Sequence, residues 1–177
     1  GELVAILGST GSGKTTLINL IPRMFDVSDG EVLIDDINVK EYNLKSLRED
    51  IGLVLQKNIL FSGTISENMR WGKKDATDEE IAKACEIAQI GDFIESLPEK
   101  YDTMIGQRGV NFSGGQKQRL CVARAIIKKP KILILDDSMS ALDNSTENKL
   151  REALKKELTG TTVVMIAQRI NTAKNAD

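Results

Sequence analysis

The sequence predicts an α/β fold of mostly parallel strands, with a small antiparallel β edge and an inserted helical subdomain, on three observations. The first is the apolar run Leu3-Val4-Ala5-Ile6-Leu7 leading directly into Gly8-Ser9-Thr10-Gly11-Ser12-Gly13-Lys14-Thr15-Thr16, a strand feeding the pattern G-x-x-x-x-G-K-[ST]. The second is Lys131 to Asp137, KILILDD, an almost uniformly apolar run that closes on two acids, as in a strand covered on both faces of a parallel sheet. The third is the change of character between Thr64 and about Lys129, where helical spacing replaces strand-and-turn punctuation.

The glycine-rich stretch reads as a phosphate cradle, the P-loop of a nucleoside triphosphatase. Gly8, Gly11 and Gly13 let successive backbone N–H groups turn inward into an anion-binding concavity. A helix opening near Lys14 adds its positive end. Lys14 would meet the β- and γ-phosphates as a point charge, and Thr15 would offer its hydroxyl to a Mg²⁺ bridging them.

Beyond the cradle, Leu17, Ile18, Leu20, Ile21 and Met24 predict a helix from Thr15 to Phe25 that lays an apolar face on the sheet, despite Pro22. Ser28-Asp29-Gly30 is turn chemistry, and the strands Glu31–Ile34 and Ile37–Val39 flank Asp35-Asp36 as a hairpin. Ile51 to Leu55 predicts a buried strand ending at Gln56, and open α/β sheets place ligand contacts at such carboxyl ends. Thr77 or Asp78 caps a helix whose apolar face is Ile81, Ala84, Cys85 and Ala88, within a stretch expected to hold no strands. Ser113-Gly114-Gly115 opens a second helix whose N-terminus carries bare glycines, a second possible phosphate site. Asp136, at the end of its strand, is placed to hold Mg²⁺, and Asp137 to stand near the water facing the γ-phosphate. A charged helix from Ser145 to Leu158 and a core strand from Thr161 to Ala167, ending at Gln168, complete the reading.

Composition narrows the function. The 177 residues, 41% hydrophobic, are enough to bury a substantial core. A net charge of -2 and a pI near 5.4 provide no broad cationic face, so no nucleic acid is expected as a partner. Cys85 and Cys121 match no metal-ligand spacing and read as small buried residues in a reducing compartment. No apolar run approaches a membrane-spanning length, and the first residues lack a signal-peptide profile, so the chain itself is expected to be soluble. Histidine is absent, which leaves carboxylates, amides and metal to carry any chemistry.

Five motifs in fixed order resemble the nucleotide-binding domain of ABC transporters: GSTGSGKT at 8–15, Gln56, FSGGQ at 112–116, ILILD ending at Asp136, and SALD at 140–143. LFSGTISENM from Leu60 is similar to the exporter subfamily. The resemblance implies residues 1–63 and 130–177 as the ATP-binding core and 64–129 as a helical subdomain carrying FSGGQ. It also implies ATP sandwiched between one domain's cradle and a second domain's FSGGQ helix. A transmembrane domain is expected in the same longer polypeptide, with this chain at the cytoplasmic face of the cell membrane. Carried over by position, residues 8–16 (Ser9, Thr10, Ser12 and Thr16 among them) bind phosphates. Thr15, Gln56 and Asp136 hold Mg²⁺, while Ser113, Gly114, Gly115 and Gln116 close on the partner's nucleotide. Asp143 would cross the interface. The family's upstream adenine-stacking aromatic is expected before Gly1, and Tyr42, Trp71 and Tyr101 do not replace it.

Three departures shape the functional expectation. Asp137 stands where the family usually has Glu, one methylene longer, and a carboxylate misplaced by about an ångström can cost on the order of a hundredfold in rate. Gln168 replaces the family's switch histidine and can hydrogen-bond a phosphate without carrying charge. Gln107 replaces a Glu that exporters often carry before the signature. The first two fall in this chain's own site, whereas FSGGQ is intact, so the resemblance implies the weakly hydrolytic half of a heterodimeric exporter. A fully active homodimeric ATPase and a non-transport ABC protein acting as a nucleotide-driven clamp are the alternatives; a small-molecule kinase would leave FSGGQ unexplained.

Overall fold

The structure is a computed structural model that describes residues 1–167. In chain order it contains β1 (Leu3–Leu7), α1 (Lys14–Leu20), β2 (Leu33–Ile34), β3 (Ile37–Asn38), α2 (Leu44–Glu49), β4 (Ile51–Val54) and β5 (Gly63–Thr64). There follow α3 (Ile65–Arg70), α4 (Asp78–Ile87), α5 (Gly91–Glu95), β6 (Met104–Ile105), α6 (Gly114–Ile126), β7 (Ile132–Asp136), α7 (Asn144–Glu157) and β8 (Thr162–Ala167).

Strands β1, β8, β7 and β4, in that spatial order, form one parallel sheet, the P-loop nucleoside triphosphatase architecture that the sequence predicts. Side chains alternate across a strand, so β7 and β8 need apolar residues at every position. Leu133 and Leu135 of β7, with Val163 and Met165 of β8, join the larger core shared with α3, α4, α6 and α7. Ile134, Val164 and Ile166 point the other way, onto Ile18 of α1 and Leu47 of α2. β1 lies at the sheet's edge, and Val4 and Leu7 are exposed there.

The hairpin forms with Asp35 and Asp36 both at positive φ (51° and 61°), the pair of left-handed residues that a tight two-residue β turn requires. It is a separate two-stranded sheet rather than an extension of the parallel one. α1 stops at Leu20, short of the predicted Phe25, because Pro22 has no N–H to continue the ladder. Arg23 follows at φ 53°, leaving Met24 and Phe25 exposed instead of on the sheet. The stretch 64–129 does contain strands: β5 and β6 pair through Gly63↔Ile105 and Thr64↔Met104, too short a ladder for periodicity to register.

The helix starts follow the local chemistry. Thr64, Thr77 and Ser113 each cap α3, α4 and α6 in a capping box with Glu67, Glu80 and Gln116. Asn43 and Asp143 cap α2 and α7. Ile81, Ala84, Cys85 and Ala88 are buried as their spacing predicts, and burial pushes the Cys85 thiol up to about 12.

Candidate nucleotide site

Three sheet strands end at one edge and deliver the predicted residues there: β1 leads into the cradle, β4 runs out into Leu55 and Gln56, and β7 ends at Asp136. Carboxyl ends of parallel strands are where open α/β sheets bind ligands.

The cradle is held open by its own geometry. Gly11 and Gly13 sit at φ 80° and 86°, a region that side-chain-bearing residues rarely adopt, and nothing lies within 4 Å of a Cβ built at either. Ser12 N–H donates to Ser9 O at 3.2 Å, closing the loop on itself. Lys14 Nζ donates to the carbonyls of Gly8 and Ser9, both at 2.7 Å, which folds the ammonium over the loop. α1 is preceded by Gly13, which supplies no side-chain cap, unlike the residues before α2, α3, α4, α6 and α7. Its first N–H groups are therefore available to an anion, and this concavity fits a triphosphate.

The oxygen pair beside the cradle is equally defined. Asp136 is 3% exposed, and Thr15 Oγ1 donates to both of its oxygens, at 3.1 and 3.0 Å. A hydroxyl and a carboxylate this close form a hard oxygen pair of the kind Mg²⁺ takes while keeping its other positions for phosphate and water. Gln56 lies exposed beyond β4, and its Nε2 donates to Asp137 Oδ2 at 3.4 Å. Asp137 is at φ 47° and half-buried, so its carboxylate leaves the strand direction and turns toward Gln56. The structure thus brings Lys14, Thr15, Gln56, Asp136 and Asp137 to one sheet edge. Gln168 lies outside the described residues.

Ser113, Gly114 and Gly115 occupy a different tip. α6 packs on β4, α3 and α4, whereas α1 packs on β7 and β8. Ser113 Oγ accepts from Gln116 N–H at 3.3 Å, and its own proton remains available to an outside acceptor. Gln116 Oε1 accepts from Ser113 N–H at 2.8 Å, so this carboxamide is tied back into the cap. Asp143 caps α7 by accepting from Thr146 N–H and Oγ1, which holds its carboxyl below the usual range. Gln107 lies in a turn where Arg108 is at φ 54°.

Two features were not legible in the sequence. Phe61 and Trp71, exposed on the surface, stack with centroids 4.9 Å apart, and Arg124 lies 5.4 Å over the Phe61 ring. Leu55 and Ile59 are exposed in the same segment after β4. In addition, Gln118 is buried and accepts from the Ala141 N–H at 3.2 Å, which ties α6 to the loop after β7. An exposed aromatic and a helical glutamine look ordinary until the fold sets them against their partners.

The family model described as ABC transporter matches residues 1–140. ABC transporter B family member 21 of Arabidopsis thaliana is 50% identical over all 177 residues, and ABC transporter B family member 2 of Dictyostelium discoideum is 48% identical over the same length. The chain spans only 14% and 13% of those relatives. A solved bacterial Atm1-family ABC exporter with ATP bound superposes with a TM-score of 0.95 at 38% identity, covering 99% of this chain and 31% of that one. With the cradle, the β7 acids and the FSGGQ cap all inside the matched residues, the chain belongs to the ABC transporter family.

Proposed function

We propose that this chain is the ATP-binding portion of an exporter, coupling ATP binding and hydrolysis at a domain–domain interface to movement of a transmembrane domain. The observation that carries the reading is the presence on one chain of two distinct helix tips, the uncapped start of α1 beside Lys14 and the Ser113 tip of α6. One triphosphate needs only one cradle, so the second tip serves a nucleotide held by another domain. The relatives are far longer than this chain, which supports a membrane domain in the same polypeptide with this portion at its cytoplasmic face. The exposed patch of Ile59, Phe61 and Trp71 adjoining Gln56 supplies an apolar surface for that domain. We take residues 1–63 and 130–177 as the core and 64–129 as the helical subdomain.

In this reading the backbone N–H groups of residues 8–16 and the Lys14 ammonium bind the phosphates, and Thr15, Asp136 and Gln56 hold Mg²⁺. The metal would neutralise charge developing on the transferred phosphoryl group. Asp137 orients the attacking water and accepts its proton, but with a carboxylate one methylene short of the usual reach. Gln168 can donate a hydrogen bond to the γ-phosphate and supplies no positive charge. This chain's own site therefore hydrolyses weakly, and its intact Ser113-Gly114-Gly115 tip completes a faster site on a non-identical partner.

The test uses the intact transporter with its partner domain. Lys14→Ala should abolish ATP binding at this cradle, and undiminished binding would overturn the nucleotide reading. Asp137→Ala should leave most turnover, while removal of the partner's corresponding acid abolishes it. Equal loss from both substitutions would refute the unequal sites.

A further inference from the structure

We infer that Gln118 is a positioning residue: it locks the loop leaving the β7 acids to the tip of α6, so that the occupancy of this chain's own cradle sets the presentation of Ser113 to the partner's nucleotide. The inference rests on the two-tip reading above and assigns the physical link between the tips.

The link can be followed bond by bond. Thr15, in the first turn of α1, donates to Asp136, which ends β7. Asp137 follows, and its carbonyl accepts from Ser140 Oγ at 3.0 Å, folding the loop back. The Ala141 N–H then donates to Gln118 Oε1 at 3.2 Å. Gln118 is 1% exposed, so its carboxamide oxygen has the Ala141 N–H rather than bulk water as its partner, although Ala141 itself lies at the surface. The two backbones are also in close approach. A Cβ on Gly115 would lie 3.2 Å from Ala141 O, and one on Gly114 would lie 3.7 Å from Ala141 Cβ. Met139 and Leu142 anchor the loop in the same apolar core as Phe112 and Leu120. Ser113 is therefore five residues, about one and a half helical turns, from a residue hydrogen-bonded to the acid-bearing loop.

From the other side, Arg119 holds the same turn: its Nε donates to Gly115 O at 3.3 Å and its Nη1 to Gln89 O, at the end of α4. The α6 tip is thus gripped by α4 and by the β7 loop, and the second grip leads to the cradle. Without the Gln118 acceptor, the tip would stay folded on α4 and lose its connection to the nucleotide state behind it.

The experiment is a double-mutant cycle in the intact transporter with its partner, using Gln118→Met, which keeps length but removes the acceptor, together with Lys14→Ala. Three quantities are read: ATP binding at this cradle, the melting temperature, and kcat and KM of the partner's site. Gln118→Met should leave ATP binding and KM within twofold and lower kcat about tenfold, the order expected from losing one hydrogen bond. Lys14→Ala should lower kcat in the parent and have no further effect in the Gln118→Met background. Gln118→Glu retains an acceptor for the Ala141 N–H and should restore the dependence on Lys14. Multiplicative effects of Lys14→Ala and Gln118→Met would overturn the link, as would a kcat loss that merely tracks a fall in melting temperature. If Lys14→Ala leaves ATP binding intact, the cradle reading fails and takes the link with it, an outcome separable from a failed cycle.

Discussion

Replacing Gly72 and Gly91 by alanine should move stability in opposite directions, and the structure decides the sign of each. Neither glycine is at positive φ, so the backbone suits an L residue at both. Reduced freedom of the unfolded chain alone would then favour alanine by about 0.5–1 kcal/mol. At Gly91, the first residue of α5, the nearest atoms to a new Cβ lie 3.5 Å away on Glu86, an ordinary contact. The gain survives there, and the melting temperature should rise by roughly 1–4 °C. At Gly72 a new Cβ would sit 2.1 Å from Arg124 O and 2.8 Å from Ile127 Cγ2. A relaxed C···O contact needs about 3.3 Å, so the segment after α3 and the backbone of α6 must part by roughly 1.2 Å. Overpacking against backbone costs about 3 kcal/mol, which exceeds the entropic gain and leaves a net loss of about 2–2.5 kcal/mol. The transition should fall by roughly 4–10 °C, followed by circular dichroism on the purified chain. A Gly72→Ala protein that melts at or above the parent temperature would refute the claim that α3 and α6 are in backbone contact, as a clear fall for Gly91→Ala would refute the reasoning about α5.

Asp143 accepts two hydrogen bonds from Thr146, and its lowered carboxyl pKa means the charged cap contributes stability above about pH 4 and loses it as the pH falls below that. Asn caps equally well without titrating, so the stability gap between the parent and Asp143→Asn should shrink from pH 7 to pH 3; a gap independent of pH refutes the assignment. The stacked Phe61 and Trp71 are exposed, so replacing both by alanine should cost under about 1.5 kcal/mol of stability. In the intact transporter that double substitution should abolish stimulation of ATPase activity by transported substrate while ATP affinity is kept, and unchanged stimulation would remove the patch from the coupling surface.

The site was legible to the extent that its chemistry is local. A cradle needs glycines at positive φ within a few residues of a lysine, and a buried strand ending in acids announces both its burial and its polarity reversal. What misled was equally local: Leu17 to Met24 kept helical spacing, yet Pro22 ended α1 early, and the two-residue strands β5 and β6 carried no periodicity at all. Asp137 was visible as one methylene short, but its left-handed backbone and its contact with Gln56 came only from the fold.

By itself the sequence determined the parallel α/β class, the glycine-rich cradle before Lys14 and the second helix tip at Ser113, because each depends on residue types within one or two consecutive elements. Only the tertiary structure decided that β8 lies between β1 and β7, that Gln118 reaches Ala141, and that Phe61, Trp71 and Arg124 meet at the surface. Those arrangements join residues from separate elements, and what fixes them is which apolar faces find one another in a common core, a choice that no local spacing records.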